Sequence, residues 1–203
     1  VTAASGTELI QNGAFTSGMT GWTPYELPNI VHNNGAGGEF QYHRNPTVTG
    51  SGQAVVFQET GVPVGAGAAL ATAFDIGNND TVRKRMSVLV IDSNFSDLSV
   101  CTFWLAANAP LRTYRMKTHP TKAWANAAIY FYTASNGVGD YRLDNVSIKG
   151  EAAGSVRRTD CMDPTAPTPP GGAAGATLLT NGDFGTGALT PWGLFGDITQ
   201  RVS

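Results

Sequence analysis

Leu70-Ala-Thr-Ala-Phe-Asp-Ile76, then Gly77-Asn-Asn-Asp80, then Arg85-Met-Ser-Val-Leu-Val-Ile91: two short β-prone runs with a turn-forming cluster between them. The same unit recurs on either side. Gln53-Ala-Val-Val-Phe-Gln58 precedes it, and Val100-Cys-Thr-Phe-Trp-Leu105, Ala127-Ala-Ile-Tyr-Phe-Tyr-Thr133 and Tyr141-Arg-Leu-Asp-Asn-Val-Ser-Ile148 follow. Asp92-Ser-Asn94 and Ser135-Asn-Gly-Val-Gly-Asp140 supply further turns. Short strands at this spacing, with almost no sustained helical period, predict an all-β sandwich. Alternation places Ile129 and Phe131 on one face of their strand and Tyr130 and Tyr132 on the other, without saying which face is core.

Composition agrees. The 25 glycines and 11 prolines suit frequent turns, and 41% hydrophobic against 14% charged residues is the reverse of a disordered chain. A net charge of −2 offers no bulk attraction to a phosphate backbone, so nucleic acid is not an expected partner. The longest apolar stretch, Val62 to Ile76, is broken by Gly65 and Gly67 and is too short for membrane insertion. The opening Val1-Thr-Ala-Ala-Ser-Gly6 reads like a processed, secreted protein or a cut in a longer one. Cys101, in an apolar run, and Cys161 are either a buried thiol and an incidental one, or a bridge.

An internal repeat organises the ends. Leu9-Ile-Gln-Asn-Gly-Ala-Phe-Thr-Ser-Gly18 recurs as Leu178-Leu-Thr-Asn-Gly-Asp-Phe-Gly-Thr-Gly187, followed by Trp22 in the first copy and Trp192 in the second. Between them, 151–176 is rich in Pro, Gly and Ala and reads as a linker. The expected organisation is a module over 7–150, the linker, and an incomplete second repeat over 177–203 that is too short to fold alone.

Glu8-Leu-Ile-Gln-Asn-Gly-Ala-Phe15 with Gly21-Trp22, taken together with the closing Tyr141–Ile148 run, resembles the two ends of carbohydrate-binding modules found beside xylanases and cellulases. These are modules of the family 4/9/22-like, galactose-binding-like jelly-roll type. The likeness covers nearly all of 7–150, is strongest at the ends, and implies a jelly-roll β-sandwich with a polysaccharide or glycan as partner. It also implies a structural calcium held by Asp144 with Glu8; the alternative is that Asp144 accepts backbone hydrogen bonds and Glu8 is simply exposed. From the residues themselves, Asn12-Gly13 supplies a positive-φ turn, and Phe15 and Trp22 are core residues.

Sugar binding needs aromatic platforms with polar neighbours. The candidates are Tyr42, Trp104, Trp124, Tyr130 and Tyr132, with Arg85, Gln41, His43 and Gln58 beside them; for each, packing is the competing role. The resemblance puts the cleft on the concave sheet without assigning contact residues. Catalytic signatures are missing: no Gly-x-Ser-x-Gly elbow, no phosphate loop, no His-x-x-x-His pair, and His32, His43 and His119 are scattered. Arg83-Lys-Arg85 reads as the exposed edge of a strand. Two functions remain, neither an enzyme. One is a secreted carbohydrate-binding module of a modular extracellular or cell-surface protein. The other is a structural subunit of a filament, virion or similar assembly, in which 177–203 docks on another copy of the chain by strand donation.

Overall fold

The computed structural model describes residues 6–25, 28–34, 38–48, 53–133, 135 and 137–151. The chain divides into two units, Val1–Thr165 and Ala166–Ser203, and every described residue belongs to the first. Of the linker read over 151–176, Glu151 instead closes the last strand, paired with Ala69; the rest of that linker, and the reading of 177–203 as a partial repeat that associates with other copies, lie outside the described residues.

Ten strands are described: β1 (Thr23–Tyr25), β2 (Ile30–Asn34), β3 (Phe40–Arg44), β4 (Ala54–Glu59), β5 (Ala69–Asn78), β6 (Lys84–Asp92), β7 (Leu98–Leu105), β8 (Ala109–Thr118), β9 (Ala127–Thr133) and β10 (Tyr141–Glu151). They form two five-stranded antiparallel sheets, a front sheet ordered β1-β4-β9-β6-β7 and a back sheet ordered β2-β3-β10-β5-β8. The fold is an all-β jelly-roll sandwich. Alternation decides the core: Val56, Phe131, Ile129, Val88 and Val90 point inward from the front sheet, meeting Phe40, Tyr42, Phe74, Ile76, Leu143 and Ile148 from the back. Ile129 and Phe131 are therefore core, and Tyr130 and Tyr132 face outward.

The two ends of the module meet. Gly6 N–H donates to Gly150 O at 2.8 Å, Leu9 N–H to Ile148 O at 2.8 Å, and Val146 N–H to Gly13 O at 2.9 Å. Phe15 and Trp22 are buried beside this seam, their ring centroids 5.0 Å apart. In the Asn12-Gly13 turn the positive φ falls on Asn12, at 49°. Gly13 is needed for a different reason: a Cβ there would overlap the carbonyl oxygen of Val146.

The basic run Arg83-Lys-Arg85 does not mark a sheet edge, because β6 lies between β9 and β7. Lys84 points inward and is 0% exposed. Its ammonium lies 3.1 Å from Asp80 Oδ2, donates to Gly139 O, and sits 5.1 Å from the Tyr141 ring centroid. Cys101 is also inward and is disulfide-bonded; the other cysteine of the chain, Cys161, lies outside the described residues.

Candidate functional site

The same alternation that fills the core exposes a second row of rings on the outer face of the front sheet. Registers place Tyr25 beside Val55, Val55 beside Tyr132, Tyr132 beside Ser87, and Ser87 beside Thr102. The next row runs Thr23, Phe57, Tyr130, Leu89, Val100. Val55, Ile91, Ala128 and Tyr130 are buried, with Phe57, Leu89 and Tyr132 half-buried against them, so they form a floor. Phe57 and Tyr130 stack with centroids 4.6 Å apart and planes within 3°, and Tyr132 continues the stack at 6.0 Å from Tyr130. Around this floor Tyr25, Phe95 and Trp104 stand 53%, 48% and 53% exposed.

Polar groups border the rings. Glu59 lies close enough to the Tyr130 phenol for its charge to act on it, and Asn126 Nδ2 donates to Glu59 Oε2 at 3.1 Å. Burial, then the Glu59 charge, pushes the Tyr130 phenol up to about 12, so it stays a neutral donor. Ser87 and Thr102 hydroxyls share a hydrogen bond at 2.8 Å, and Arg85 is exposed opposite Trp104.

Four of the six sequence candidates, Trp104, Tyr130, Tyr132 and Arg85, share this face. Two do not. Tyr42 is 0% exposed, stacked inside the sandwich against Phe40 and Tyr141. Trp124 is 2% exposed, its backbone bridged to Val64 and its indole N–H donated to Asp97 Oδ2 at 2.8 Å. Both are core side chains, placed there by inward alternation and by the Val64 bridge respectively. Their polar neighbours are elsewhere too. Gln58 is buried and clasps the Gln11 backbone, His43 pairs with Asp140 at 2.7 Å, and Gln41 donates to Glu39. Tyr25, Phe57, Phe95 and Glu59 were missed; for Phe57 and Glu59 the available signal was their common parity with Val55 on one strand.

Glu8 and Asp144 do not fit a shared calcium site. Glu8 Oε1 accepts the N–H groups of Ile10 (3.0 Å) and Ile148 (2.9 Å), and Oε2 accepts the Ser147 hydroxyl, so its lone pairs face donors that would repel a cation. Asp144 accepts Asn145 N–H at 2.7 Å, and among the described residues no group of three or more His, Cys, Asp or Glu is arranged to hold a metal. Glu8 instead fastens the opening segment to β10.

Asp144 lies directly across from Asp75 in the β5–β10 ladder. Burial, then the charges of Asp75 and Glu39, raise its carboxyl above the usual range, and the Asn145 N–H offsets this only in part. A carboxyl raised by folding contributes stability that is present below the unfolded value, about 3.9, and is lost as pH rises through the folded value. Asp144→Asn is therefore expected to raise the melting temperature at pH 7 by about 1–3 °C, with no gain near pH 3. A fall at pH 7, matched by a fall of the wild type in chelator, would show that the carboxylate holds a cation after all.

No protein-family model matches this sequence, and no curated protein matches it. Solved structures do share its architecture. A CBM4 carbohydrate-binding module superposes with a TM-score of 0.53 at 14% identity, over 70% of this chain and 99% of that one. The CBM22-1 xylan-binding domain of Paenibacillus barcinonensis Xyn10C gives 0.52 at 13% identity, over 74% and 99%. The CBM22-1-GH10 modules of Clostridium thermocellum xylanase 10B, complexed with xylohexaose, give 0.53 at 17% identity, over 72% of this chain and 29% of that one. At these identities the likeness is one of fold: the chain has the jelly-roll architecture of carbohydrate-binding modules.

Proposed function

We propose that this chain is a non-catalytic carbohydrate-binding module of a secreted, modular protein, and that it holds polysaccharide on the outer face of its front sheet. The observation that carries this reading is the ring array of Tyr25, Phe57, Phe95, Tyr130, Tyr132 and Trp104 on one outward face. Stability alone favours polar residues on the solvent side of an antiparallel sheet. The exposed rings of Tyr25, Phe95 and Trp104 around this stacked floor, edged by hydroxyls, an amide and a carboxylate, match the alternating apolar faces and hydroxyl rims of a sugar chain. Two neighbours in fold are described as a xylan-binding domain and as modules complexed with xylohexaose, which makes xylan the first ligand to try.

The non-catalytic part rests on charge. Glu59 is the one carboxylate that the five front strands point outward, whereas glycoside hydrolysis ordinarily uses a pair flanking the bond. The disulfide at Cys101 supports an oxidising, extracellular setting. No described helix is long and apolar enough to cross a membrane.

Affinity electrophoresis across xylan, mixed-linkage β-glucan, galactan and acidic polysaccharides is expected to retard the full chain on at least one of them. Tyr25→Ala and Trp104→Ala, both at exposed rings, should each weaken that binding by about tenfold while leaving the melting curve in place. Unretarded migration on every polysaccharide would sink the proposal.

A further inference from the structure

One corner of the ring face carries chemistry that a neutral sugar does not use. Arg85 and Trp104 are cross-strand partners on β6 and β7. Arg83, two residues before Arg85, lays its guanidinium over the same indole, 4.5 Å from the ring centroid. Lys84, between them, is turned into the core, so the run Arg83-Lys-Arg85 splits into one buried ammonium and two exposed guanidinium groups beside an exposed tryptophan.

Their lack of partners is informative. Arg142, Lys84, Lys117, Lys149 and His43 each lie within ion-pair distance of a carboxylate, whereas among the described residues Arg83 and Arg85 form no ion pair. Asp80, near in sequence, is committed to Lys84. Two unneutralised cations brought together on one surface repel each other, a cost that the contact of Arg83 with the Trp104 ring offsets only modestly at an exposed site. Guanidinium groups bind carboxylate and sulfate through paired, planar hydrogen bonds, and an indole face accepts the apolar side of a pyranose.

From this we infer that Arg83, Trp104 and Arg85 form a subsite for an acidic sugar unit, with Trp104 carrying the ring and the two arginines its carboxylate or sulfate. This deepens the polysaccharide-binding reading and rests on it. A back-sheet pocket of about 270 Å³ over Ala71 and Ala73 is also lined by cations, Arg115 among them, but there Lys117 is paired with Glu151, Lys149 approaches Glu8, and no aromatic ring among the described residues lines the pocket. The front corner differs in setting two guanidinium groups without an ion pair among the described residues beside an exposed indole.

The test is affinity electrophoresis and calorimetry of the full chain at low and at physiological salt, about 0.15 M. Polygalacturonate and alginate probe the carboxylate, dextran sulfate probes the sulfate, and xylan and β-glucan are neutral references. The expected result is binding to at least one acidic polysaccharide that weakens with salt. Arg83→Gln/Arg85→Gln should lose about tenfold or more for it, a loss at least about fivefold greater than for any neutral ligand. Arg115→Gln/Lys122→Gln, which removes two cations elsewhere, should change nothing.

Neutral glycans bound and acidic ones refused would overturn the subsite and leave the module reading intact. No glycan bound at all would overturn both. An equal loss in the Arg115→Gln/Lys122→Gln variant would reduce the effect to bulk charge and overturn the subsite. So would arginine-dependent binding of single-stranded oligothymidylate without any acidic polysaccharide, since an indole between arginines also suits a nucleobase.

Discussion

Asp80→Asn is expected to destabilise the module by about 3–5 kcal/mol, the loss typical when one partner of a buried pair is removed. Lys84 is wholly buried at its end of the sandwich, and Asp80 supplies its compensating charge at 3.1 Å. The pair does more than neutralise. Lys84 also donates to Gly139 O, and Asp80 Oδ2 accepts Gly139 N–H at 3.1 Å, so the β5–β6 turn and the strand-entry loop of β10 are held by one knot. A Cβ on Gly137 or Gly139 would strike Asp80, which explains why that loop reads Asn-Gly-Val-Gly.

The pH dependence follows. Burial acts to raise the Asp80 carboxyl, but Lys84 with the Gly139 and Val82 N–H groups outweighs it and holds the group below its usual range. Stability from a depressed carboxyl is present above the unfolded value, about 3.9, and is lost as pH falls through the folded one. Urea unfolding at pH 7 and pH 3 should therefore show the gap between wild type and Asp80→Asn narrowing in acid. Asp80→Asn/Lys84→Met should recover part of the loss, because it removes the orphaned charge. A gap that does not change with pH would contradict the ion-pair account.

Trp124→Ala is expected to cost a similar amount, about 3–5 kcal/mol, and Trp104→Ala less than about 0.5 kcal/mol. The two tryptophans have the same composition cue and opposite fates. Trp124 fills the core and anchors Asp97, which also accepts Thr121 N–H at 2.7 Å; burial would raise that carboxyl, and the Trp124 and Thr121 bonds together hold it low. Trp104 touches Arg83 and solvent. Guanidinium denaturation of the two variants separates the roles, and equal stability losses would contradict the assignment.

Much of this fold was legible because its central strands alternate cleanly. The predicted run at 127–133 coincides with β9, and those at 70–76 and 85–91 lie inside β5 and β6. β8 was not legible: Ala109-Pro-Leu-Arg-Thr-Tyr-Arg-Met-Lys-Thr118 carries a proline and three cations, which only an edge strand tolerates, and edge position is set by the rest of the sheet. The site was half legible for a related reason. Parity put Tyr130 and Tyr132 together, but whether a ring faces core or solvent depends on which sheet lies opposite. Tyr42 points at the front sheet and vanished into the core, while Tyr25, on a three-residue strand, reached the face only through its pairing with β4.

The central claim is that ligand sits on the outer face of the front sheet. Backbone amide shifts of the labelled chain, followed by NMR as xylo- and galacturono-oligosaccharides are titrated in, test it most directly. The prediction is that shifts concentrate on Tyr25, Phe57, Glu59, Arg85, Ser87, Thr102, Trp104, Tyr130 and Tyr132, with Ala71, Ala73 and Arg115 of the back sheet still. Shifts clustered on the back sheet would contradict it, as would no shifts in the front-sheet residues with a ligand that affinity electrophoresis shows to bind.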